Sequence, residues 1–338
     1  MARLFSSFRI APGVRLSTSS RGLRAHVGPR AARLHVGGGR TGVSTGAGPF
    51  TVYQSGTVPV PVPRNHEDRA AAQAAARDHL ARIEHLHRIE FPALERAVAP
   101  RVPLPRFATL LATAEKKELR GISPFDRTAR QEAKQEARRL AETWAHDLLT
   151  LASHEHHTQQ ATLDAQWSAL VANEPATVSA TVSEAYAATG TPARLIDVVD
   201  GVGFVQVTGP SDAEVPLVTP RQTAAGAPTV ARLNQTERAQ WHRLLVAAHA
   251  LVAAKQTLAV APGLSKVCLV VMRPGDPAEP LLAATIGRDR LASADFSQRA
   301  GQVLDVVAEN VIVRVRGGTG ELQPIRVAAD SAYGLLVR

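Results

Sequence analysis

The sequence holds a single cysteine and few aromatic residues, and its first 66 positions hold no acid. Each shortage excludes something. A lone Cys268 permits neither an internal disulfide framework nor a thiolate metal cluster. Lying in the apolar run 267–272, it reads as a buried structural thiol. With Phe, Trp and Tyr at 4%, the chain lacks rings to interleave with basic groups as a stacking platform for single-stranded nucleic acid; its basic N-terminal part has only Phe5, Phe8, Phe50 and Tyr53, at its ends. The longest apolar run, 244–254, is interrupted by His249 and is too short to span a bilayer. The first residues lack the apolar core of a signal peptide. No nucleophile elbow, P-loop or dinucleotide-binding glycine fingerprint is present. The resulting expectation is a soluble, cytoplasmic protein with no cofactor and no transmembrane segment. At 338 residues and 45% hydrophobic content, two or three domains with real cores are expected.

What is present begins with a repeat. Read in nines from Val14, the chain gives VRLSTS, then LRAHVG from Leu23, ARLHVG from Ala32 and TGVSTG from Thr41. The second and third units match best, with Arg24 and Arg33, His26 and His35, Val27 and Val36, and Gly28 and Gly37 in register. Apolar and polar residues alternate, which predicts strands. Alternate side chains on a strand face opposite ways. Val14, Leu16, Leu23, Ala25, Val27, Leu34 and Val36 then share one face, and Arg15, Arg24, His26, Arg33 and His35 the other. Gly22, Gly28-Pro29 and Gly37-Gly38-Gly39 mark turns, so a small antiparallel β-meander is expected.

Residues 1–64 carry nine Arg, no Lys and no acid. They hold the whole net charge of +9, because the remainder has 30 basic and 30 acidic residues. Three readings of this face compete. It is a solvated surface that protects sheet edges; or an anion-binding face for nucleic acid, an acidic lipid surface or an acidic protein; or an organelle transit peptide, rich in Arg and Ser. Period two and regular glycines count against the last. For the second, the candidate anion-binding residues are Arg15, Arg24, His26, Arg33, His35 and Arg40.

The stretch FRIAPGVRLSTSSRGLRAHVGPRAARLHVG, residues 8–37, resembles the N-terminal domain-of-unknown-function family numbered 4236, found at the start of bacterial proteins. It shares an initial Phe-Arg, a Pro-Gly-Val-Arg and glycine-punctuated Arg/Val strands. Ala31-Ala32 stands where that family often has Gly-Ala. The resemblance covers residues 1–54, implies a bacterial protein and implies no activity, since the family has none assigned.

The rest of the chain reads as an α+β multidomain protein. The expected divisions are a basic β-repeat module (1–56), a Pro-rich linker (57–64) built on Val-Pro repeats, a helical arm (65–174), an α+β domain (175–330) and a tail (331–338). Asn65 is expected to cap a helix that ends near Pro92. A second helical pattern runs over 127–173 with a polar run, Ser-His-Glu-His-His, at 153–157. It is one long helix or two, and with the first it suggests an antiparallel helical hairpin, an arm for homo-oligomerisation or partner docking. The order β-β-α-β-β-α-β-β is expected from 190 onward: a hairpin at Asp200-Gly201, a polar loop over 209–230, a helix capped by Asn234, and two further hairpins around a helix at 297–309.

Candidate chemistry is thin. His154 and His157, joined by His85 and His87, pose a metal question, but no His-Glu-x-x-His or Cys/His finger spacing supports it. Asp197, Asp200 and Glu214 are the acids a metal-dependent hydrolase or nuclease would use; a hairpin turn accounts for Asp200 and an exposed strand position for Asp197. Arg288-Asp289-Arg290 follows a strand end and suits an anion or a helix start. The leading expectation is a non-enzymatic interaction protein with an anionic partner. The alternatives are a hydrolase or nuclease with its site in the C-terminal domain, and a structural homo-oligomer.

Overall fold

The computed structural model describes residues 66–275 and 279–325, with side chains from residue 70; ahead of these it describes only the backbone of five short strands, β1 (Ser6–Ala11), β2 (Val14–Ser19), β3 (Gly22–Val27), β4 (Leu34–Val36) and β5 (Gly42–Val43). The Arg/His face expected on them, the linker and the Asn65 cap lie outside the described side chains.

The described chain is a mixed α+β protein. Helix α1 (His66–His85) leads through a 3₁₀ turn (Leu86–Arg88) into an extended stretch, then α2 (Phe107–Glu118) and α3 (Arg127–Val171). At 45 residues α3 is about 68 Å long. It opens on Asp126, whose Oδ1 accepts from the Ala129 N–H at 3.0 Å. It runs unbroken through the polar run at 153–157. Its antiparallel partner is α2, against which Ala114, Ala137 and Ala141 are fully buried, small side chains that let the axes approach. The expected partnership of the 66–98 helix with α3 therefore does not form. Helix α1 stops at His85 and packs on the C-terminal domain, burying Ala76, Leu80 and Ile83.

Helix α4 (Pro175–Thr189) starts on a proline and ends at Gly190 with φ 71°. The first hairpin, β6 (Ala193–Val199) and β7 (Val202–Thr208), turns at Asp200 and Gly201 with φ of 50° and 74°, the left-handed pair that an Asp-Gly turn supplies. The stretch expected as a loop contains another hairpin, β8 (Val218–Gln222) with β9 (Pro228–Arg232), which forms its own two-stranded sheet. Helix α5 (Gln235–Val260) follows, opened by a reciprocal capping box in which Asn234 and Glu237 each accept the other's backbone N–H. Then come β10 (Lys266–Arg273), β11 (Glu279–Gly287), α6 (Arg288–Ala292), α7 (Ala300–Val307), β12 (Ala308–Val315) and β13 (Leu322–Gln323).

The main sheet has the order β13-β12-β11-β10-β7-β6, antiparallel throughout except for parallel β7 and β10. A parallel pair needs a crossover, and α5 provides it. Val267, Leu269 and Val271 of β10 bury completely in one core with Val246 and Leu251 of α5, Val178 and Val182 of α4, and Val307 of α7. Cys268 points to the other face, buried, with Sγ 3.4 Å from Thr285 Oγ1. By length and composition α5 is apolar enough to cross a membrane, yet 67% of its most apolar window is buried inside the protein, as in a core helix.

Candidate functional site

Among the described residues, the candidates expected from sequence do not come together. Arg15, Arg24, His26, Arg33, His35 and Arg40 lie outside the described side chains. Asp197 accepts the neighbouring Val198 N–H, Asp200 forms its turn, and Glu214 closes the capping box of a short 3₁₀ helix with Ser211. Arg288 donates to the carbonyls of Leu264 and Ala261, and Arg290 to that of Ala308, so both tie loops to the sheet. On α3 it is His156, not His154 or His157, that docks, against the Ala99 carbonyl. His87 meets the Gln298 carbonyl at 2.8 Å. Among the described residues no group of three or more His, Cys, Asp or Glu is placed to hold a metal ion.

A different site is built at the shared C-terminal end of β7 and β10. Their parallel register runs to Thr208 opposite Met272. Gly209 then donates its N–H to the Met272 carbonyl at 2.7 Å, and a Cβ there would lie 2.9 Å from that same oxygen, so only glycine fits. The chain turns away through Pro210 and the 3₁₀ helix Asp212–Glu214, makes the β8–β9 hairpin, and returns into α5 at Asn234. This detour leaves a cavity of about 720 Å³ between the strand ends, the hairpin and the first turns of α5.

His242 forms its floor. The ring is buried, with Nε2 3.0 Å from the Pro210 carbonyl and Nδ1 3.1 Å from Asp212 Oδ1. Both ring nitrogens therefore face protein oxygens and not the cavity. His242 is a strut that fixes the loop after β7. Three guanidinium groups line the walls. Arg273 is anchored, with Nη2 donating to the Leu322 carbonyl at 3.0 Å and Nη1 3.3 Å from Glu279. Arg238, one turn before His242, donates Nη2–H to the Asp212 carbonyl at 3.0 Å, while its buried Nε–H has no acceptor. Arg232, the last residue of β9, has no side-chain partner among the described residues. The two lining carboxylates are engaged, Asp212 with His242, and Glu321 with Gln235 at 2.6 Å and Arg316 at 3.2 Å. The Gln235 hydrogen bond above all, and then the charge of Arg316, hold the Glu321 carboxyl below its usual range. Spare guanidinium donors therefore line the cavity, beside the exposed carboxylate of Asp212.

Sequence reasoning missed this site because it draws on four separate stretches. The one local signal is that Arg238 and His242 share a face of α5, four residues apart, just after its cap. No family model matches the chain, and no curated protein or solved structure matches it either.

Proposed function

We propose that the protein is a non-enzymatic bacterial interaction protein whose N-terminal meander holds an anionic partner, a nucleic acid or an acidic protein surface, against a neutral α+β body. The observation that carries this reading is charge segregation. All of the net +9 resides in 64 acid-free residues, while the rest of the chain is balanced. Such a single-sign surface concentrates anionic partners, and guanidinium forks suit phosphate and carboxylate. The resemblance of residues 8–37 to a bacterial family supports the bacterial setting, and cytoplasmic action goes with it. Asp197 and Glu214 each accept a backbone N–H and Asp200 takes a left-handed turn position, so among the described residues these three acids do not support the hydrolase or nuclease alternative.

The test is retention on heparin and on a DNA duplex across a salt gradient. Full-length protein is run beside a chain beginning at Asn65 and beside Arg15→Gln/Arg24→Gln/Arg33→Gln. Only the unmodified full-length protein is expected to bind, with log affinity falling by about 0.9 per phosphate contact per log unit of salt. Equal retention of all three refutes the reading.

A second role, self-association through the arm, is favoured by one observation. Phe125, between α2 and α3, is 92% exposed, and Leu149 and Leu151 lie open along α3. Light scattering after gel filtration should give a multimer for wild type and a monomer for Phe125→Ser/Leu151→Ser. A monomeric wild type rejects this role.

A further inference from the structure

We infer that the cavity at the shared end of β7 and β10 is a binding site for a small oxyanion compound, a phosphate or carboxylate ligand, gripped by Arg232 and Arg238. The inference is independent of the N-terminal anion face. It starts from a count of donors. Each guanidinium carries five N–H groups and no acceptor. Arg273 spends two of its five on Glu279 and the Leu322 carbonyl, Glu321 is held by Gln235 and Arg316, and Asp212 is held through Oδ1 by His242. What remains at the cavity wall is the whole fork of Arg232 and the unpaired Nη–H groups of Arg238, whose Nε–H is sealed away from solvent. An oxygen-rich anion supplies acceptors for these accessible donors and negative charge among three guanidinium groups.

Three further features suit a ligand rather than a solvated surface. The cavity, about 720 Å³, falls within the size range of small-molecule sites, roughly 300–1,000 Å³. Its walls are held in place before any ligand arrives: the loop after β7 by the two bonds of His242, the start of α5 by the Asn234–Glu237 box, and Arg273 by two partners. Leu217, exposed on the cavity wall, adds apolar surface for a carbon skeleton. The grip is bidentate guanidinium recognition, for which phosphate and carboxylate have matching geometry.

Calorimetric titration of the full chain with pyrophosphate, inorganic phosphate and succinate, at ionic strength matched with NaCl, tests this. At least one probe should bind saturably, and the one that binds tells phosphate from carboxylate. Arg232→Gln, at an exposed side chain with no partner to lose among the described residues, should weaken that binding roughly tenfold while leaving the melting temperature of the free protein unchanged. Arg238→Gln should weaken it at least as much. Arg15→Gln/Arg24→Gln/Arg33→Gln should leave it untouched. Three silent probes, an unaltered affinity in Arg232→Gln, or loss of binding in the N-terminal triple variant would each overturn the assignment.

Discussion

Gly263 is where the base of the arm meets the sheet, and substituting it tests how tightly that joint is built. The last turn of α3 presents the carbonyls of Leu170 and Val171 to the loop between α5 and β10. Asn173, in the left-handed region at φ 59°, donates its side-chain N–H to the Gly263 carbonyl at 2.9 Å. The same loop reaches the β6–β7 turn, because Ser265 donates its backbone N–H to the Gly201 carbonyl at 2.9 Å. A Cβ on Gly263 would lie 2.4 Å from the Val171 oxygen, 2.5 Å from Asn173 Oδ1 and 2.8 Å from the Leu170 oxygen. Two of these are backbone atoms, so no rotamer change relieves the clash. The end of α3 must retreat by at least about 0.6 Å to reach the 3.0 Å that Cβ atoms respect. Overpacking of this kind costs about 1–3 kcal/mol. At about 2–4 °C per kcal/mol for a domain of this size, Gly263→Ala should melt some 2–12 °C lower by calorimetry. Gly301→Ala is the control. Gly301 sits in α7 with nothing within 4 Å of the added carbon, and there alanine should be neutral or stabilise by up to about 1 kcal/mol. If both variants melt alike, the close approach at the arm's base does not exist as described.

Other perturbations reach other parts of the fold. Asn234→Ala should cost about 1 kcal/mol by removing the α5 cap, and Asn234→Asp should restore most of it in chemical denaturation, because either side chain accepts the Glu237 N–H. Tyr186→Phe should cost about 1 kcal/mol, since its hydroxyl pairs with that of Thr257 in the core; a denaturation midpoint equal to wild type would show that this pair is energetically silent. Acid should destabilise the protein from about pH 6.5 downward. Burial first, then the nearby charge of Arg88 and Lys255, lowers the pKa of His87, and burial also depresses those of His79 and His249, the last to about 4. The unfolded chain therefore takes up protons before the folded one. The contribution is intact above the unfolded value of 6.5 and is lost as pH falls toward the folded values. Urea unfolding at pH 7.5 and pH 5 should show the loss, and His87→Gln should reduce the slope without abolishing it.

The sequence spoke clearly where a local rule is also the tertiary rule. Asp200-Gly201 is a turn whatever surrounds it, and Asn234 caps α5 with atoms three residues away. The hairpins and α5 were legible for that reason. The β8–β9 hairpin was not, because Pro220 stands within one strand, Pro228 opens the other, and neither alternates cleanly. The long helix shows a subtler failure. Its polar run looked like a break because no apolar stripe crosses it. Yet this is where the extended stretch before α2 lies along α3, held by polar bonds. His156 meets the Ala99 carbonyl, Gln160 holds the Ala99 N–H and the Ala97 carbonyl, and Asp164 pairs with Arg96 at 2.7 Å. A strand-like segment docked through hydrogen bonds leaves no hydrophobic period to read. The same blindness hid the cavity. Arg232, Arg238 and Arg273 are unremarkable surface arginines in sequence, and what makes them a site is that β7 and β10 run parallel and end together. That pairing is set by the crossover through α5, which no single stretch of the chain encodes.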